Sequence, residues 1–134
     1  MFVLLMAWAA AMGFAHPPRE ILYAIEAACH GDEACGLDAV LYAAHESSFQ
    51  ERPAREYSWD AKAHVSCGTW QTPCSSSQTL LDQARTWVAL RKYSLDTYGD
   101  LRGLAGNTPA GIALTQAREL EREDVTFGAQ WGVR

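Results

Sequence analysis

Positive charge is in short supply in this chain. Lys and Arg together number 11 against 16 Asp and Glu, a formal net charge of −5. A nucleic-acid binder normally presents a basic patch, so the balance argues against that class. The same deficit counts against tight electrostatic attachment to an anionic cell wall. Internal repeats, low-complexity tracts and a domain linker are also missing, so the 134 residues read as one domain. Global disorder is excluded by composition: 49 % of residues are hydrophobic and 20 % are charged, enough apolar material for one core.

The first fifteen residues, MFVLLMAWAAAMGFA, have no charged side chain. The run falls short of the about 20 residues of a comfortable membrane span. It ends in small residues, with Gly13 and Ala15 at −3 and −1 of a cleavage before His16, although no positive group precedes it apart from the α-amine. Residues 1–15 are expected to be a secretory signal peptide. An uncleaved N-terminal anchor is the alternative, and an ordinary buried helix is the plain structural reading. Residues 16–134 then form the domain, in the periplasm or outside the cell.

Cysteine is limited to Cys29, Cys35, Cys67 and Cys74. An even count behind an export signal favours two disulfides, and four cysteines allow three pairings. The local pairs Cys29–Cys35 and Cys67–Cys74 are favoured because each would clamp a short loop containing Gly or Pro. The spacings C-x5-C and C-x6-C are poor zinc knuckles, so no metal is expected.

The periodicity is helical, with one long break. Pro17 and Pro18 open a helix from Arg19 to Cys29 with an Ile21, Leu22, Ile25 and Ala28 stripe, ended by His30-Gly31-Asp32. A second helix, Leu37 to Ser47, is apolar on both faces, which makes it a buried central strut. From Phe49 to Cys74 no helical period persists. This segment reads as a structured, functional loop with a short strand or hairpin near His64 to Trp70. Ser75, Ser76 and Ser77 offer caps for a long helix to Tyr98, stopped by Gly99. A short helix at Leu101 to Ala105 follows, and Thr108-Pro109 caps a last one to about Glu121. The tail from Val125 lacks periodicity, with Phe127 and Trp131 able to pack back on the body.

Glu46 breaks the pattern. It falls on the Ala39, Tyr42 and Ala43 face, which should be buried, and in the last helical turn, where the macrodipole disfavours a carboxylate. Burial and dipole would both favour the protonated form, which a general acid requires. The bland alternative is an exposed glutamate at a frayed helix end.

Three segments in order carry a resemblance. LDAVLYAAHESSF (Leu37 to Phe49) resembles the helix of lytic transglycosylases and goose-type lysozymes that ends in Glu-Ser. Ser66-Cys67-Gly68-Thr69-Trp70-Gln71-Thr72-Pro73 resembles their second motif, a glycine, two bulky residues and a glutamine. Leu104 to Gly111 resembles their third, an alanine-rich stretch leading to Tyr-Asn-Ala-Gly, with Gly106 where the family has tyrosine. The match spans roughly residues 20 to 122, and the segment between Glu46 and Gln71 is longer than in common members.

The resemblance implies a mainly helical, lysozyme-like domain, with at most a little β structure and one long active-site loop. It implies a monomeric enzyme without cofactor that cuts bacterial peptidoglycan strands, including a phage endolysin among its settings. Glu46 would protonate the glycosidic oxygen, then accept the proton of the muramoyl 6-hydroxyl as a 1,6-anhydro ring closes. One carboxylate suffices, because the nucleophile is already in the substrate. A hydrolytic muramidase would need a second acid, for which Glu51, Glu56 and Asp60 are the loop candidates. A non-catalytic wall-binding module and a purely structural helical protein are the other classes.

Substrate contacts are assigned to Ser47, Ser58 or Ser66, Trp70, Gln71 and Asn107. Gln71 offers both a donor and an acceptor to a sugar amide or hydroxyl. Trp70 and Trp59 could stack on sugar faces, although Trp70 suits a core equally well. His45 and His64 are weak metal ligands, because His45-Glu46 is not followed by the spaced histidine of a metalloprotease helix. Asn107 suits a helix-end turn as well as a contact. Ser47 and Ser48 lack the G-x-S-x-G setting of a nucleophile.

Overall fold

In a computed structural model, residues 1–50, 66–73 and 79–131 are described, Trp131 by its backbone only. The order is α1 (Phe2–Ala11), α2 (Arg19–Cys29), α3 (Glu33–Ser47), β1 (Ser66–Cys67), β2 (Thr72–Pro73), α4 (Leu80–Tyr98), α5 (Arg102–Ala105) and α6 (Pro109–Trp131). The domain is mainly helical with one small antiparallel pair, in the register Ser66 with Pro73 and Cys67 with Thr72.

The strut is α3. Every residue from Cys35 to Ala44 is buried. Helix α2 packs on α4, α1 lies against α6 and α3, and α5 bridges α4 and α6. The apolar N-terminal segment is thus placed in the core, with Leu5, Trp8 and Ala9 buried. Its close approach depends on Gly36, where a Cβ would come within 3.1 Å of Leu5. Among the described residues no helix is long and apolar enough to cross a membrane.

Boundaries show local chemistry at work. Helix α2 has the expected limits. Helix α3 starts earlier than its apolar pattern, because Asp32 caps it and does not merely end α2: its carboxylate accepts from the Cys35 amide at 3.1 Å. The Cys29–Cys35 disulfide bridges the same turn. Cys67 is disulfide-bonded too, and Cys74 lies outside the described residues.

The cap of α4 is Thr79, not the serines before it. Thr79 and Asp82 form a reciprocal capping box. Helix α6 begins where read, with the Thr108 hydroxyl accepting from the Gly111 amide. It runs on to Trp131, however, through the segment that shows no period. Val125 is buried within it and Phe127 is mostly exposed, so only the former packs inward.

Candidate active site

The hairpin is fastened to the helices on both sides. Gly68 takes a left-handed conformation (φ +82°) in the turn. The Thr69 amide donates to Gln83 Oε1 on α4 at 3.0 Å, and the Thr69 hydroxyl donates to the Gln50 carbonyl just after α3 at 2.8 Å. The Trp70 indole N–H donates to the Ala39 carbonyl at 2.9 Å, and the residue is 3 % exposed. Trp70 is therefore a buried wall that docks the hairpin on α3, not a free face for stacking on a sugar.

This docking places Gln71 across a groove from Glu46. The groove holds about 400 Å³, and its lining includes Tyr42, Glu46, Ser66, Gln71, Trp87 and Leu104. Gln71 has positive φ (+51°), and its Nε2 donates to the Gly68 carbonyl at 2.9 Å. Gln71 Oε1, Thr72 Oγ1 and Tyr42 Oη are buried and have no hydrogen-bond partner among the described residues. Such groups are rare in folded proteins and call for an explanation.

Glu46 is not shielded as its face suggested. Its side chain is 35 % exposed, because the helix ends there and the groove opens beside it. Helix α3 is closed off by Ser48 and Phe49, both left-handed, which turn the chain away past Glu46. Arg118, from α6, lies over the Tyr42 ring at 4.7 Å and brings Nη2 to 4.0 Å from Glu46 Oε1. Tyr42 is buried, and burial pushes its phenol up to about 12, opposed by the Arg118 charge.

The other expected site residues divide. Ser66 lines the groove. Ser47 does not: it is buried, donates to the Ala43 carbonyl at 3.3 Å and accepts from the Gln50 amide at 3.2 Å, so it finishes the helix end. Asn107 is exposed and away from the groove, which the third motif reaches only through Leu104. Ser58, Trp59, His64, Glu51, Glu56 and Asp60 lie outside the described residues. His45 pairs with Glu121 of α6.

Sequence reasoning missed Tyr42 and Arg118. Tyr42 could have been found, since it stands one turn before Glu46 on the same helix. Nothing local marks Arg118. Also missed was Asp38, a 3 % exposed carboxylate on α3 with Arg91 Nε and Arg122 Nε each at 2.8 Å. Arg91 makes an aligned hydrogen bond, while the Arg122 contact lies off the hydrogen-bond axis. Burial pushes the Asp38 carboxyl up, against the hydrogen bond from Arg91 and the charges of both arginines.

Compared with family profiles, curated proteins and solved structures, the chain gives no significant match.

Proposed function

We propose that the protein is an exported, lysozyme-like lytic transglycosylase that cleaves the glycan strands of peptidoglycan, with Glu46 as its acid and base. One observation carries the proposal. Glu46, Ser66 and Gln71, singled out from two separate stretches of sequence, line the same groove. The rest of the lining mixes polar and aromatic residues, Tyr42, Thr72 and Trp87 among them, which suits a sugar ligand.

The chemistry needs one carboxyl group. Glu46 gives its proton to the glycosidic oxygen as the anomeric C–O bond breaks. The resulting carboxylate takes the proton of the sugar 6-hydroxyl as that oxygen bonds to the anomeric carbon. No net proton is consumed, and no water has to be held. Gln71 would position an acetamido or hydroxyl group, with Ser66 beside it.

The test is mass analysis of muropeptides released from purified peptidoglycan. The expected products are anhydro-muropeptides, lighter by one water than hydrolysis products, and Glu46→Gln should abolish them. Reducing ends would assign a hydrolytic muramidase on the same groove. Binding without turnover, unchanged in Glu46→Gln, would assign a wall-binding module. The open position of Glu46 and Gly106 in the family's tyrosine position favour that second reading.

A further inference from the structure

Helix α6 brings a cation to the end of α3 without placing it on the groove wall. Arg118 is absent from the lining, its side chain is 11 % exposed, and one of its terminal nitrogens, Nη1, is buried with no hydrogen-bond partner among the described residues. Its guanidinium lies on the Tyr42 ring, a contact that fixes the plane of an otherwise flexible side chain. The other terminal nitrogen faces Glu46 Oε1 at 4.0 Å, too long for a hydrogen bond and close enough for a strong charge effect.

We propose that Arg118 is a positioning residue for Glu46: mounted on Tyr42, it holds the carboxylate toward the groove and steadies its charged form. This rests on Glu46 being the working acid and base. In that cycle Glu46 must give up a proton and then act as a carboxylate. A guanidinium held at 4.0 Å favours the charged half of the cycle without taking a carboxylate lone pair by a direct hydrogen bond. The other titratable groups nearby among the described residues are Tyr42 and His45 on α3, with Glu119 and Glu121 on α6. Tyr42 is neutral, the two glutamates disfavour a third negative charge, and His45 is engaged by Glu121. Among the described residues Arg118 is thus a fixed cation beside Glu46.

The experiment titrates the Glu46 carboxyl by carbon-detected NMR in the wild type, Arg118→Met and Arg118→Lys, with Glu46→Gln used to assign the resonance. Removing the cation should raise the Glu46 midpoint by about one unit, while Arg118→Lys should stay near the wild type. Where Arg118→Met melts below the titration temperature, Arg118→Gln replaces it. In parallel, muropeptide release is followed against pH. The fall in rate on the alkaline side should move up by about the same interval in Arg118→Met, with kcat reduced several-fold and KM little changed.

A Glu46 midpoint that stays put without the cation, or moves equally in Arg118→Lys, overturns the inference even if the wild type cuts glycan. A shifted midpoint in a protein that releases no fragments would uphold the pairing and instead remove the glycan-cleaving assignment. A purely structural role for Arg118 would lower the melting temperature and leave both pH readouts unmoved.

Discussion

Two of the carboxylates on helix α3, Asp38 and Glu46, stand about two turns apart in opposite surroundings. Asp38 is 3 % exposed and gripped by two guanidiniums at 2.8 Å. Glu46 is 35 % exposed, beside a groove, with Arg118 at 4.0 Å. A carboxylate clamped twice at contact distance cannot exchange a proton without breaking the ties that hold α4 and α6 to α3. One whose arginine stands off at 4.0 Å can. The closeness of the arginines, more than the carboxylate itself, separates the fastener Asp38 from Glu46, the proposed working group.

The sharpest break of this comparison is a pair of isosteric amides. Asp38→Asn leaves Arg91 and Arg122 facing a neutral group in the interior and should cost about 3 kcal/mol of stability, read by chemical denaturation. Glu46→Gln should leave stability within about 0.5 kcal/mol, because the site is open. It should also lower muropeptide release by a factor of about a thousand or more. If the two variants lost stability equally, the distinction would fail.

A second break moves both pairs at once. Arg118 and Arg122 ride on α6, whose first turn packs backbone to backbone on the preceding loop: a Cβ at Gly111 would sit 1.9 Å from the Gly106 carbonyl oxygen. Gly111→Ala must therefore shift the start of α6. The expected cost is about 2 kcal/mol, with a fall in turnover that neither amide variant produces together with lost stability. Unchanged melting and activity would show that α6 is not held at that point.

Alkaline pH probes the element between the two carboxylates. Tyr42 ionises near 10 when unfolded and only near 12 in the fold, because burial disfavours the phenolate. The folded state keeps the proton that the unfolded state loses. Stability from this group is complete below pH 10 and is lost as pH rises toward 12, by roughly 2 kcal/mol. Tyr42→Phe should flatten that alkaline decline. At neutral pH it should be nearly silent, because the hydroxyl it removes has no hydrogen-bond partner among the described residues. A variant that still declined as the wild type does would place the titration elsewhere.

The helices were legible where one signal dominated. Pro17-Pro18 and the Ile21–Ala28 stripe marked α2, and a helix apolar on both faces marked α3 as the strut. The extension of α6 to Trp131 was not legible, because an exposed helix needs only a narrow apolar stripe, and among the described side chains of the tail Val125 alone of the large residues is buried. In the groove, Glu46, Ser66 and Gln71 were visible because each sits in a short motif. Ser47 misled because a serine after a glutamate looks the same whether it meets a ligand or finishes its own helix. Arg118 was invisible, since its meaning lies in a contact with a helix far away in the chain, and pattern along a chain carries no such distance. Asp38 was passed over because its arginines are equally remote.

The smallest expected effect tests whether the end of α3 is strained for a purpose. Ser48 (φ +54°) and Phe49 (φ +60°) are consecutive left-handed residues, a conformation that costs a residue with a Cβ. Phe49 is held there by burial and by its edge contact with Phe14 at 4.9 Å, while Ser48 is exposed and donates its amide to the Ala44 carbonyl at 3.0 Å. Glycine at position 48 keeps that amide and removes the steric cost, against some gain of freedom in the unfolded chain. Ser48→Gly should therefore stabilise the protein by about 0.5 kcal/mol, measured by thermal melting. Turnover decides what the strain is for. If muropeptide release is unchanged, the left-handed pair is only a way to end the helix. If release falls while the melting temperature rises, the Ser48 geometry helps aim the carboxyl group two residues before it, and stability has been gained at the expense of the site.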